Sequence, residues 1–375
     1  MRTPLVAAVS DVSIGYGSPQ VPRLLESLSE HYAPARGFML EPDQSERPPL
    51  AMNAWSFELK RVHTSVSHYV RSGTIEYLVH CARELNERRP DVVVVSSSLT
   101  LPVLFKLRYR PRLVIYYMLE SLSYYEGGGA WQRFMLDTNR AASEMIDLII
   151  SPEENRARLD VERARMHGPR VAIMVNAVNP RTPDREPVPA SERNGRLLVS
   201  GTIQRGMTLA EYYLRPEIAS IPIDMYGLIE GPDKHDLRAQ FLAGEGQVCY
   251  RGYVPGRELA LLRRHYSYSL ITWADTSEHL RYACPNKFFE AIADGVPPIV
   301  TPHPQCRSIV DRYDCGIVMR DWSYSAFRDA LYEAWDLLGT PRYAQMVQNC
   351  RHAAHTELNW DSAFAKVAAG LPSLS

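Results

Sequence analysis

The chain has 375 residues, 45% of them apolar and 23% charged, with a formal net charge of −1. That length suits two domains and that composition an ordinary globular protein. The near-neutral charge argues against bulk nucleic-acid binding, and no apolar run approaches the roughly 20 residues of a membrane-spanning helix. Residues 1–10 carry one Arg and a strand-like run rather than a long apolar signal region, so a cytoplasmic protein is expected. The cysteines (81, 249, 284, 306, 315 and 350) are scattered and form no Cys-x-x-Cys pair, which fits free thiols in a reducing compartment.

Apolar runs at 5–9, 91–96, 113–117, 148–151 and 170–175 read as strands. Helical spacing marks 21–31, 75–88, 101–109, 131–145 and 155–166 between them. Continuous apolar strands alternating with helices mean a parallel sheet covered on both faces, which binds ligands at the carboxyl ends of its strands. Residues 176–196 are proline-rich, charged and aperiodic; the interdomain linker is placed at 181–195. Beyond it, strands are expected at 196–200, 223–226, 248–250, 268–272, 298–300 and 316–318. Helices are expected at 209–214, 233–242, 255–265, 286–293, 304–312, 325–337 and 343–357. The fold class is α/β, with two Rossmann-like doubly wound domains at 1–180 and 196–357 and a final segment at 358–375.

The most informative stretch is Cys284-Pro285-Asn286-Lys287-Phe288-Phe289-Glu290-Ala291-Ile292-Ala293-Asp294-Gly295-Val296-Pro297. Pro285 suits a helix start, since its missing N–H is an orphan there anyway. Phe288, Phe289, Ile292 and Ala293 fall on one face, and Gly295 with Pro297 ends the helix. Asn286, Lys287 and Glu290 gather on the first turn. A helix N-terminus attracts anions, Lys287 adds a full charge, and Glu290 can accept hydrogen bonds from hydroxyls. Together they suit a phosphate beside a sugar. Earlier, Ser200-Gly201-Thr202-Ile203-Gln204-Arg205-Gly206 forms a strand end, a glycine that admits close backbone approach, and a basic residue. Asp11-Val12-Ser13-Ile14-Gly15-Tyr16-Gly17-Ser18 follows the first strand and lacks the full dinucleotide-binding glycine spacing.

The 284–300 stretch resembles the nucleotide-sugar site of GT-B glycosyltransferases, especially the retaining family 4 type. The shared pattern is Pro-x-Lys, a helical Glu, then Gly-x-Pro and an apolar strand. Tyr282 stands where many members carry the first glutamate of a Glu-x7-Glu pair, so a variant lacking that residue is the better match. The resemblance extends over 147–318. It implies the GT-B architecture, with an interdomain cleft, the linker as hinge, and 358–375 crossing back to the first domain through Trp360 and Phe364. It assigns donor binding to Gly201, Thr202, Arg205, Tyr226, Gly227, Tyr253, Val254, Pro285, Asn286, Lys287 and Glu290. Arg205 and Lys287 are expected to hold the diphosphate and to stabilise the leaving group. Glu290 either holds the ribose or merely complements the helix dipole. Tyr253 either packs on the nucleobase or fills a core gap. Gly15, Tyr16, Gly17 and Ser18 form the acceptor-side loop.

Family 4 enzymes usually carry a His at the end of the third strand; here the nearest acid–base group is Glu120. It steers the acceptor or stabilises the sugar cation, or else it caps the following loop. The resemblance implies a hexosyltransferase (EC 2.4 type) that moves a sugar from a UDP- or GDP-sugar to a hydroxyl. Retention and no metal are expected, and no cofactor beyond the donor as co-substrate. The alternatives are a GT-B epimerase, a phosphorylase, or a non-catalytic sugar-nucleotide-binding subunit. A sugar, glycan, lipid-linked or protein acceptor is expected, and no nucleic acid. Lys106, Arg108, Arg110 and Arg112 fit either peripheral contact with the inner face of a membrane or a solvated helix end.

Overall fold

Val92–Ser96 is apolar until its last residue and buried throughout, as a central parallel strand requires. In the computed structural model this strand lies in the first of two units. One unit comprises Met1–Met174 with Phe364–Ser375, the other Val175–Ala363. The structure describes residues 3–374 except 15–17, 45–55, 68–69, 126–127, 181–187 and 245. Of the expected linker, 181–187 lie outside the described residues, and the rest includes a 3-10 turn, Ala190–Glu192.

Unit 1 runs β1 (Leu5–Val9), α1 (Gln20–His31), β2 (Arg36–Pro42), β3 (Glu58–Val62), α2 (Arg71–Arg88), β4 (Val92–Ser96), α3 (Ser97–Thr100), β5 (Leu113–Tyr117), α4 (Ala130–Ala142), β6 (Leu148–Ser151), α5 (Glu154–Ala164) and β7 (Arg170–Ile173). Its strands form one sheet in the order β3-β2-β1-β4-β5-β6-β7, every pairing parallel. β2 and β3 have no counterpart among the expected strands. β3, Glu-Leu-Lys-Arg-Val, is an edge strand with one buried residue, so it shows no apolar run. β2 buries Glu41 completely; its carboxylate accepts from Arg61 Nε and the Ile14 amide, each at 2.6 Å. The helix expected at 101–109 is instead α3 followed by a 3-10 turn, Leu101–Lys106, with Pro102 near its start.

Unit 2 runs β8 (Leu197–Ser200), β9 (Ile223–Tyr226), α6 (Lys234–Ala243), β10 (Val248–Gly252), α7 (Gly256–Arg263), β11 (Tyr268–Ile271), α8 (Glu278–Arg281), α9 (Asn286–Ala293), β12 (Pro298–Val300), α10 (Pro304–Tyr313), β13 (Ile317–Val318), α11 (Tyr324–Leu337) and α12 (Pro341–Thr356). The sheet order is β10-β9-β8-β11-β12-β13. The helix expected at 209–214 is a 3-10 turn, Ala210–Leu214. The last helix, α13 (Trp360–Ala368), contains the residue, Phe364, at which the chain rejoins unit 1. There Phe364 meets His31 edge-on at 6.3 Å, and Tyr32 donates to the Pro372 carbonyl.

In each sheet the chain reverses its direction of strand addition at one point: between β1 and β4 in unit 1, and between β8 and β11 in unit 2. Crevices at such points, outside the carboxyl ends of the strands, are where open α/β sheets take ligands. Among the described residues no helix is long and apolar enough to cross a membrane.

Candidate active site

Three neighbouring strands of unit 2 end in glycines with positive φ: Gly201 after β8 (φ +107°), Gly227 after β9 (φ +148°) and Gly252 closing β10 (φ +83°). The backbone is continuous across them. The Gly201 amide donates to the Tyr226 carbonyl and the Gly227 amide to the Gly252 carbonyl, both at 2.8 Å. A Cβ on Gly227 would lie 1.7 Å from the Gly201 oxygen. A Cβ on Gly201 would lie 2.0 Å from Lys287 Cε and 2.6 Å from Nζ. Only a glycine at 201 lets Lys287 lie across the end of β8.

Lys287 comes from the first turn of α9. Pro285 precedes that helix in extended conformation, and Phe288, Phe289 and Ile292 bury its inner face. Asn176 anchors the approach, its side-chain amide donating to the Cys284 carbonyl at 2.7 Å. Burial pulls the Lys287 ammonium below its ordinary pKa; Glu290 opposes that and Arg263 adds to it. A cation desolvated in this way gains most from a bound anion. Glu290 has a partner that the sequence did not disclose. Arg263, 2% exposed, places Nη2 at 2.6 Å from Glu290 and Nη1 at 2.9 Å from Asp294. It ties α7 to the middle and the C-terminal cap of α9.

The structure thus brings Gly201, Gly227, Pro285, Lys287 and Glu290 together. Arg205 is placed differently: its Nε lies 2.6 Å from Asp233 and its Nη2 3.7 Å from Asp236, at the start of α6. Thr202 is exposed, and Asn286 and Val254 are half-buried. Tyr226 shares its hydroxyl with Tyr266 at 3.2 Å, and Tyr266 in turn donates to Asp224. Tyr253 is 54% exposed, which removes the core-filling reading and leaves its ring open to a planar group. Tyr282 closes α8.

Unit 1 assembles carboxylates and hydroxyls at its own switch point. Asp11 follows β1, and its Oδ1 accepts from Ser96 at the end of β4 at 3.3 Å. Burial raises the Asp11 carboxyl from 3.8 to about 6; hydrogen bonds from Ser97 and Ser96 oppose this, and the charge of Glu120 adds to it. Glu120 lies beyond β5 with its side chain 56% exposed, its Oε2 4.0 Å from Nη2 of buried Arg156. Burial holds the Tyr125 hydroxyl above its ordinary range, and the charges of Asp11 and Glu120 add to this. A carboxyl near neutrality accepts a proton readily. Ser18 is described, at φ +43°; Gly15, Tyr16 and Gly17 lie outside the described residues. Asp11 and Arg263 are the site residues that sequence reasoning missed. The available signals were an acid directly after the first strand, and an Arg four residues after Leu259 on a helix. Among the described residues, no group of three or more His, Cys, Asp or Glu side chains is arranged to hold a metal ion.

No protein-family model matches the chain, and no curated protein does. Solved structures match over nearly its whole length. Sucrose-phosphate synthase from Thermosynechococcus elongatus has a TM-score of 0.72 at 16% identity, covering 98% of both chains. HepE from Anabaena, in complex with UDP and glucose, has a TM-score of 0.72 at 13% identity, covering 99% of this chain and 100% of that one. WaaG, a glycosyltransferase involved in lipopolysaccharide biosynthesis, has a TM-score of 0.70 at 16% identity, covering 97% and 98%. The chain has the GT-B fold.

Proposed function

We propose that the protein is a glycosyltransferase that moves a sugar from a nucleoside-diphosphate sugar to a hydroxyl of a sugar, glycan, lipid-linked or protein acceptor. The observation that carries this reading is Lys287, desolvated and laid over Gly201 at the switch point of unit 2. A diphosphate there would replace the lost solvation of the ammonium and meet the N–H groups that open α9. In the reaction, the bond between the anomeric carbon and the diphosphate oxygen breaks and its electron pair leaves with the diphosphate. The sugar passes through an oxocarbenium-like state, and the acceptor oxygen bonds to the anomeric carbon as its proton departs. A fixed donor aimed at such developing charge contributes roughly 3 kcal/mol.

In this reading Glu290, oriented by Arg263, takes the ribose, and Tyr253 stacks on the base. Arg205 leaves its aspartates to join the diphosphate, and Glu120 of unit 1 steers the acceptor. UDP is the first nucleotide to test, because HepE was solved with it; GDP is the second. Retention and membership of the family 4 variant rest on the resemblance of 284–300. Metal independence follows from giving Lys287 the charge a metal would supply. The donor is a co-substrate and no cofactor is required. A hexosyl donor and a cytoplasmic location, in peripheral contact with the inner face of a membrane, complete the reading.

The test is thermal unfolding with UDP and GDP, with and without EDTA, in the wild type and Lys287→Ala. One nucleotide at a hundred times its dissociation constant stabilises the wild type by about 2.7 kcal/mol. EDTA leaves that shift intact, and the variant loses most of it along with about a hundredfold of turnover. A wild type stabilised by neither nucleotide overturns the reading.

A further inference from the structure

The outer faces of α2 and α4 carry side chains that neither the core of unit 1 nor the candidate site uses. Val70, just ahead of α2, and Ile75 and Val79 on it are each about half exposed. Ile75 and Val79 stand one turn apart on the same helix face. The 3-10 turn Leu101–Lys106 packs against both α2 and α4 and leaves the Phe105 ring nearly half exposed. On α4, Trp131 stacks on Phe134 with centroids 5.2 Å apart, and Phe134 too is nearly half exposed. The Arg71 guanidinium sits over the Trp131 ring at 5.8 Å, joining the start of α2 to the start of α4.

The charge on this face is mainly positive. Near the end of α2, Asn86 accepts from the Arg108 amide at 2.6 Å and donates to the Lys106 carbonyl at 3.0 Å. That fastens the basic loop beside the helix, with Lys106 and Arg108 exposed. The other two bases of the 106–112 run have internal work: Arg110 pairs with Asp147, and Arg112 donates to the Leu374 carbonyl. Arg83 and Arg133 add exposed charge. Of the exposed acids, Asp137 is paired with Arg140 at 3.4 Å, and Glu87 remains beside Arg88.

We propose that this face docks the protein on an anionic lipid bilayer, with Phe105, Trp131 and Phe134 entering the headgroup region while Arg71, Lys106 and Arg108 meet lipid phosphates. Aromatic rings rimmed by bases suit the boundary between headgroups and acyl chains. The apolar residues of α2 are interrupted by Glu76, His80 and Arg83, so they form no continuous apolar core of the sort a stable protein interface needs. The proposal deepens the peripheral-membrane part of the reading above and is independent of the chemistry assigned to Lys287.

The experiment is co-sedimentation of the full chain with vesicles of phosphatidylcholine, alone or mixed with phosphatidylglycerol. The protein sediments with the mixed vesicles, far less with the neutral ones, and high salt releases it. Lys106→Gln/Arg108→Gln, which alters only exposed side chains, weakens partitioning about tenfold. Phe134→Ser weakens it as well, and both variants keep the nucleotide-induced thermal shift of the wild type. No sedimentation with the mixed vesicles overturns the proposal, as does equal partitioning of the double charge variant. So does a dimer on size-exclusion chromatography that Phe134→Ser abolishes, which would give the face to a second copy of the chain.

Discussion

Unit 1 ends its central strands in carboxylates and hydroxyls: Asp11 after β1, Ser96 at the end of β4 and Glu120 beyond β5. Unit 2 ends β8 and the two strands beside it, β9 and β10, in Gly201, Gly227 and Gly252 and covers the first with a lysine. Both sheets are parallel and both reverse their winding at one point, so the topology supplies the same crevice twice. In the function proposed above, the side chains make one crevice an acceptor of protons and hydroxyl hydrogen bonds, the other a floor for an anion. Topology decides where a ligand goes, and the chemistry at the strand ends decides which.

The largest expected effect breaks the unit 2 side of that comparison. Arg263 is a buried cation between two carboxylates, Asp294 and Glu290. Removing one member of a buried ion network leaves the others uncompensated, at a cost of about 3–5 kcal/mol. Arg263→Met should therefore lower the stability of unit 2 by that amount in urea unfolding, and Arg263→Met/Asp294→Asn should recover part of it. A single variant as stable as the wild type would show that the network carries little energy. Glu290 would then need another source of orientation.

The two switch points differed in how far the sequence disclosed them. Pro285, Lys287, Glu290 and Gly295 lie within one helix and its flanks, so their chemistry shows as local spacing. Gly201 and Gly227 show as glycines at strand ends. The contact between Glu290 and Arg263 spans 27 residues and that between Asp11 and Ser96 spans 85; no local pattern encodes either. The same reason hid β3, whose Arg61 is satisfied by Glu41 across the strands rather than by an apolar run; β2 does carry a short one, the buried Phe38-Met39-Leu40. The run 101–109 has the apolar content of a helix, but it follows the left-handed turn at Ser97 (φ +63°) and contains Pro102, and it folds as a tighter turn. Arg205 was expected beside Lys287 because the resemblance assigns both to the diphosphate; Asp233 and Asp236, which hold it, follow a separate strand.

A smaller effect tests the unit 1 side through pH. The fold raises the Asp11 carboxyl to about 6 from 3.8, so it favours the protonated form. The stability from this residue is complete below the ordinary value and is lost as pH rises through the folded value. The loss is up to about 3 kcal/mol between pH 4 and 6. Asp11→Asn abolishes that dependence. The wild-type stability minus that of the variant should fall across this window and level off above it, as read from paired urea curves. A flat difference would mean that Asp11 is ordinarily hydrated, and unit 1 would lose its poised carboxyl.

The smallest effect decides whether Arg205 belongs to the anion floor. Its bond to Asp233 is partly exposed, both side chains being about one-third accessible. Such a pair contributes at most about 1 kcal/mol, little enough for a diphosphate to compete with it. If Arg205 moves to the ligand, Asp233→Asn should tighten nucleotide binding several-fold by freeing the guanidinium, while Arg205→Gln should weaken it by about as much. Isothermal titration of both variants reads the two signs directly. Opposite signs place Arg205 with Lys287 in the bound state. If Asp233→Asn weakens binding instead, Arg205 works by holding α6 against the loop after β8, and Lys287 is the cation that meets the diphosphate.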